Sequence, residues 1–395
     1  THTYAQALPF KEPLPLEPIE VTKRHRVLTT SPLTGGHRKL WIQEDCMKLG
    51  LGLIQTAFSA NPTIDLDAVR LAEDLGFHSV WAAEAYGCDA VTSATWLAAH
   101  TSKIKVGTAI MQIPARSPAS AAMTAIGLDA LSQGRFILGL GSSGPQVAEG
   151  WHGVAYNRPL ERTREYVAII RKILERKEPL QHDGFHYQLP LTGSNTTGAG
   201  KPLKSVAHPN ADQPIVLASI SPGGLRLAAE IADGVLLSFI DPNATQDIVD
   251  RHLADGFAKD EARCTREEFT VSTFVSVIVH DDVSEVQAMM KPTLARQLGG
   301  MGSKGKNFYA EFAKRMGYAD EVDQIQALYL AGEKDKAASA VPADLIDLTN
   351  LIGPPARIRE RLSMWREAEQ RGSLDMMLIT SSQPEALKLM AEELL

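Results

Sequence analysis

Only three cysteines occur in the 395 residues, Cys46, Cys88 and Cys264. They are scattered, form no C-x-x-C pair and have no histidine pair nearby at metal-ligand spacing, which argues against a disulfide framework and against a bound metal. Lysine and arginine nowhere cluster, and 40 basic residues face 47 acidic ones for a net charge of −7. The electrostatic footprint of a nucleic-acid binder is therefore missing. No apolar run is long enough to span a membrane, and the N-terminus lacks the basic-then-apolar pattern of a secretory leader. These absences point to a cytoplasmic protein whose partners are small molecules. The composition, 44% hydrophobic and 22% charged, supplies enough apolar material for a large core.

Residues 1–46 stand apart. Pro9, Pro13, Pro15, Pro18 and Pro32 interrupt every periodic segment, so this part reads as an extended arm. Met47 opens the first strand pattern and is read as an ordinary start, with the arm as an upstream extension. From there apolar strand patterns fall at 47–54, 78–83, 104–110, 135–141, 214–219, 234–239, 269–279 and 374–380, separated by helical patterns. Strand alternating with helix implies parallel strands joined by right-handed crossovers. Eight such units are what closes a barrel, so the fold class is α/β, a (β/α)8 TIM barrel, with an open doubly wound sheet as the alternative. Two segments exceed the minimal unit, 181–213, rich in Gly, Pro and Asn, and 289–355, mostly helical. Both are expected to be insertions covering the C-terminal mouth, where function collects.

The stretch Arg135 to Gly144, RFILGLGSSG, contains a G-x-G-x-x-G directly after a strand. A dinucleotide fingerprint would open a βαβ unit, start a helix at its last glycine and carry an acid at the end of the next strand. Here the motif follows the fourth strand, Gly150, Gly153 and Pro159 break up what comes next, and Glu161 and Glu165 fall on a helix. The dinucleotide reading is rejected. The glycines instead leave the backbone N–H groups of Ser142, Ser143 and Gly144 open to a ligand. A second turn of this kind, Ser219, Ser221, Pro222, Gly223 and Gly224, lies between strand five and its helix and suits a phosphate or carboxylate.

The blocks LGFHSVWAAEAYGCDAVTSATWLAA, KVGTAIMQIPARSPASAAM, DALSQGRFILGLGSSGPQVAEGWHGVAYNRPLERTREY and AAEIADG together resemble the luciferase-like flavin and deazaflavin oxidoreductases. The resemblance is to the branch that uses coenzyme F420 and includes methylenetetrahydromethanopterin reductase-like proteins. It covers Met47 to the C-terminus, is strongest over 76–166, and implies a barrel with the cofactor at its C-terminal mouth. In that family a bulge at the end of strand three, often with a non-proline cis peptide, backs the deazaflavin ring. This assigns the bulge to Ala109 and Ile110, with Gln112 beside the ring. Glu84 then falls where the family places an acidic or polar residue near the cofactor, with Tyr86 as a further donor.

One branch of the family, the sugar-phosphate dehydrogenases, has a histidine where this chain has Ala85 and a strand-four glutamate where it has Ser142-Ser143-Gly144-Pro145-Gln146. Sugar oxidation is thereby disfavoured, and His152 and Glu149 are left as candidate proton donors. The resemblance implies hydride transfer between the deazaflavin C5 and a small organic substrate, with Glu84 and Gln112 as catalytic residues. The alternatives are an FMN-dependent monooxygenase of the same fold and a non-catalytic barrel that binds F420. Assembly as a homodimer or higher homo-oligomer is expected.

Overall fold

A computed structural model describes residues 47–194, 196–302 and 307–395; the arm read at 1–46 lies outside the described residues. Eight strands form the barrel: β1 Lys48–Leu53, β2 Ser79–Ala82, β3 Lys105–Thr108, β4 Phe136–Gly141, β5 Ile215–Ala218, β6 Gly234–Ser238, β7 Thr270–Val279 and β8 Met376–Thr380. All pair in parallel with their sequence neighbours, and β8 pairs back to β1, so the sheet closes. This is a TIM barrel; the open sheet is ruled out by the β8–β1 ladder. The outer helices are α1 Leu66–Asp74, α2 Ala90–His100, α3 Pro118–Leu131, α4 Pro159–Glu175, α5 Pro222–Ile231, α6 Arg251–Phe257, α7 Pro355–Gln370 and α8 Pro384–Leu394. No helix among the described residues is long and apolar enough to cross a membrane.

The strands read as near-continuous apolar runs because both of their faces are covered. Leu49, Leu51, Val80, Val106, Leu138 and Leu217 point outward under the helices. Trp81, Ile137, Val216, Leu236, Met376 and Leu378 point inward and fill the barrel axis. Several strands give up inward side chains to make room. A Cβ at Gly107 would lie 2.4 Å from the Trp81 ring, and one at Gly52 would lie 2.7 Å from Phe274. One tryptophan and one phenylalanine thus occupy space that a usual barrel fills from more strands. Helix starts are written in the sequence: Asp65, Asp89, Ser117 and Ser221 each accept a backbone N–H of the first turn, and Pro118 and Pro222 stand where a missing N–H costs nothing.

The two long segments differ in placement. After β7 the chain runs through helices Val283–Gly300, Phe308–Arg315, Ala319–Leu330, Lys334–Ser339 and Ala343–Thr349. It then returns as a short strand, Leu351–Gly353, that pairs with the last three residues of β7. This helical segment reaches the mouth: Arg315 donates to the Ile220 carbonyl beyond β5 (2.7 Å), and Arg296 stands over the Phe58 ring beyond β1 (5.3 Å). Residues 181–213 start and end away from the mouth but reach the head of α4, where Arg158 stands over the Phe185 ring (4.2 Å). They connect α4 to β5, so they leave and rejoin at the opposite end of the barrel, and between those points they climb the outside of α4. The anchor is the Glu165 carboxylate on α4, which accepts the N–H groups of Phe185, His186 and Tyr187 (3.0, 3.1 and 3.1 Å) and faces His182 (3.2 Å).

Candidate active site at the barrel mouth

Strand β3 pairs Gly107 with Ile137 of β4. A short continuation, Met111–Gln112, resumes the ladder with Met111 opposite Leu140. Between these points β3 uses one more residue than β4, a β-bulge. It contains Ala109 and Ile110, joined by a cis peptide bond. Thr108 bridges the interrupted ladder, donating its hydroxyl to the Gly139 carbonyl (2.7 Å) and accepting the Gly139 N–H (3.0 Å).

The glycine motif divides by task. A Cβ at Gly139 would lie 1.7 Å from the Thr108 carbonyl oxygen, and one at Gly141 would lie 2.7 Å from Ile110. Both glycines therefore serve the close approach of β4 to the bulge. Gly144 is different, since its Cβ position meets nothing nearer than Gln146 Oε1 at 3.7 Å. Contrary to the sequence reading, a short helix, Pro145–Gly150, starts beside it with Gly144 as the N-cap. Ser143 is held left-handed at φ 58°, a region costly for a residue with a side chain. Tyr156 secures the turn by donating to the Ser143 carbonyl (3.0 Å) while its hydroxyl lies 3.3 Å from Ser142 Oγ.

At the β5 turn Ser221 Oγ accepts the Gly224 N–H (3.2 Å), and Ser219 Oγ accepts the Ser221 N–H (3.3 Å). A Cβ at Gly224 would fall 2.0 Å from Ser219 Oγ, so Gly224 serves the turn's own packing. Pro222 has no N–H to offer. Of the five residues named from the sequence, Gly223 is the one whose N–H stands in the first helical turn, beyond the reach of an intrahelical acceptor and outside these serine bonds.

The sequence brings Glu84 and Gln112 together, but as parts of one buried network. The Glu84 side chain is 5% exposed and pairs with Arg116 through both oxygens (2.7 and 2.9 Å). It also accepts the backbone N–H groups of Gln112 (2.7 Å) and Ala90 (3.2 Å). The Arg116 guanidinium is held above its ordinary range: burial opposes its charge, but the hydrogen bonds and charge of Glu84, aided by Asp89, outweigh that. The Gln112 amide nitrogen donates to the carbonyls of Glu84 (3.2 Å) and Ala85 (2.9 Å), which fixes which end of the amide is oxygen. That oxygen faces His152 Nε2 at 3.0 Å, so His152 carries a proton on Nε2 and leaves Nδ1 for a ligand. Glu149 does not join this group; its carboxylate accepts the Tyr156 N–H (3.0 Å) within its own loop. Arg116 and Tyr156 were not foreseen, although an arginine alone between an apolar strand end and a Ser-Pro helix start was a usable signal.

The chain belongs to the luciferase-like monooxygenase family, whose model matches residues 54–371, and it is accordingly an enzyme of the oxidoreductase class. It is 42% identical over 346 residues to Rv3520c of Mycobacterium tuberculosis, a protein named as a coenzyme F420-dependent oxidoreductase, covering 87% of this chain and 98% of the relative. It is 27% identical to the 5,10-methylenetetrahydromethanopterin reductase of Archaeoglobus fulgidus, over 75% of this chain and 83% of that one. The structure of the coenzyme F420-dependent tetrahydromethanopterin reductase from Methanopyrus kandleri shares the fold, with a TM-score of 0.69 at 23% identity over 88% of this chain and 98% of that one.

Proposed function

We propose that the protein is an F420-dependent oxidoreductase that moves a hydride between the deazaflavin C5 and a small organic substrate. The choice of cofactor is carried by the relative named for F420, which matches this chain over nearly its whole length. The residues present fit such a group. Gly144 leaves open space where a side chain would stand, and Gly223 keeps an N–H at the head of α5, where the helix dipole favours an anion. Ser142, Ser143 and Gly144 with Ser219, Ser221, Pro222 and Gly223 would hold the phosphate-bearing chain. Ala109, Ile110 and Gln112 would back the ring, beside the partly buried Ile110, Ala218 and Phe274 at the top of the barrel axis. Bound there, the deazaflavin supplies a hydride at C5.

The chain's own contribution is positioning and a proton. Glu84 and Arg116 fix the bulge exit, Gln112 fixes His152, and His152 is the group able to hold or pass a proton at Nδ1 toward a substrate. The helical segment over the mouth excludes water. Titration of the purified full chain with F420 and with FMN tests the reading. F420 is expected to bind at least about tenfold more tightly; tighter binding of FMN would favour a flavin monooxygenase, the reading the family name supports. The protein is further proposed to be a homodimer, with Trp96, Met123 and Leu131 on α2 and α3, which are 51%, 70% and 74% exposed, covered by the second copy. Light scattering decides this.

A further inference from the structure

Three exposed rings stand together at the mouth, each carried by a different strand-to-helix connection. Phe58 follows β1, Tyr86 follows β2 and Trp151 follows β4, and they are 42%, 54% and 66% exposed. Phe58 and Tyr86 meet edge to face with centroids 6.1 Å apart. Tyr86 and Trp151 are tilted at 55° with centroids 6.4 Å apart. Arg296 of the helical segment stands over the Phe58 ring. Single exposed apolar residues are ordinary, but a contiguous group at the functional end of a barrel marks a binding surface. In a chain with only 6% aromatic residues, rings from three separate loops have been brought into contact where burial does not reward them.

The rings are also tied to the polar network. Trp151 immediately precedes His152, whose Nε2 is bonded to Gln112, and Tyr86 lies one residue beyond Ala85, whose carbonyl accepts from the same Gln112 side chain. The loops carrying these two rings are therefore pinned to β3 by a single amide. An occupant of this surface must offer a flat apolar face to the rings, since offset and edge-on ring contacts add to simple area burial, and a polar edge for His152 Nδ1, which accepts from a hydroxyl when the ring is neutral and donates to a carbonyl when it carries its second proton.

We propose that Phe58, Tyr86 and Trp151 form the substrate subsite and select a small aromatic carbonyl compound over an aliphatic one of equal size. This rests on the reading of the protein as an F420-dependent oxidoreductase. Equilibrium dialysis of the full chain against acetophenone and octan-2-one, which have the same carbon count and one carbonyl each, tests it without cofactor. Acetophenone is expected to be retained at least about tenfold more tightly. Trp151→Leu and Phe58→Leu should each abolish the preference while leaving F420 affinity and the thermal transition unchanged, because both side chains are exposed. In the F420-loaded enzyme the same variants should raise KM for the aromatic ketone and leave kcat nearly intact. Equal retention of the two ketones, or a preference that survives both substitutions, overturns the subsite. Failure to bind F420 with the preference intact would instead overturn the cofactor reading and leave the subsite standing.

Discussion

Glu84 is enclosed among donors, with two guanidinium nitrogens and two backbone N–H groups aimed at its oxygens. Its position after an apolar strand drew attention to it in the sequence. Its carboxylate faces Arg116 and the protein backbone, which supports the proposal that it positions Gln112 and His152. Glu84→Gln replaces an acceptor by an NH2 group pointing at donors and takes from Arg116 the nearer of its two carboxylates, leaving Asp89 at 3.5 Å. Leaving the donors around this side chain unsatisfied costs about 1–3 kcal/mol, so a drop in the urea midpoint is expected together with slower turnover. If Glu84 acted on the ring directly, turnover would fall with the midpoint unchanged. His152→Phe is expected to show the complement, slower single-turnover reduction of the substrate at nearly native stability.

At the scale of elements, the two glycine turns make opposite predictions. Gly144 has φ −127°, a conformation open to any residue, and free space at Cβ. Gly144→Val should keep the circular dichroism spectrum and thermal transition while weakening F420 binding about tenfold or more. Gly224→Ala should destabilise the fold itself, because its Cβ would collide with Ser219 Oγ; thermal unfolding checks this, and F420 affinity would fall only as the turn is lost. The strands and helices were legible because both-face burial and capping residues leave local marks, and each of the eight strands lies within a residue or two of its expected bounds. The division of labour within G-x-G-x-x-G was not legible, since Gly139 and Gly141 answer to Thr108 and Ile110, about thirty residues earlier in the chain. Arg116 escaped for the same reason, its partner lying 32 residues away. The bulge at Ala109 and Ile110 came only from family resemblance, because one extra residue in a ladder leaves no trace in a short apolar run. The course of 181–213 was not legible, because composition marks a loop without saying at which end of a barrel it starts.

For the whole molecule, the end of the barrel away from the mouth carries a group that weakens the fold in acid. His78, at the start of β2, is buried beside Lys48 and Lys105, and burial first, then the two ammonium groups, bring its imidazole down to about 3. An unfolded histidine takes up its proton near pH 6.5. Between these values the unfolded chain binds more protons than the folded one, so stability falls as pH falls from about 6.5 toward 3. Urea midpoints measured at pH 7 and pH 4.5 should show this loss, and His78→Gln should shrink the difference between them.

The helical segment over the mouth leaves and rejoins the sheet within one strand spacing, because Val277 at the end of β7 is paired with Leu351 on return. The barrel ladder from Thr270 to Ser276 is formed with β6 and β8 and does not include the segment. Residues 281–350 thus lie outside the ladder that closes the barrel, while their apolar residues share its outer core and Asp347 accepts from Arg357 and Arg361 of α7. A short turn in their place should leave the ladder paired but uncover that part of the core. Such an exchange would remove Arg296 from Phe58 and Arg315 from the β5 turn, so it would alter what enters the mouth while the Glu84–Arg116–Gln112–His152 network stayed in place. Diversification of substrates can proceed in this architecture by replacing a single contiguous stretch of sequence.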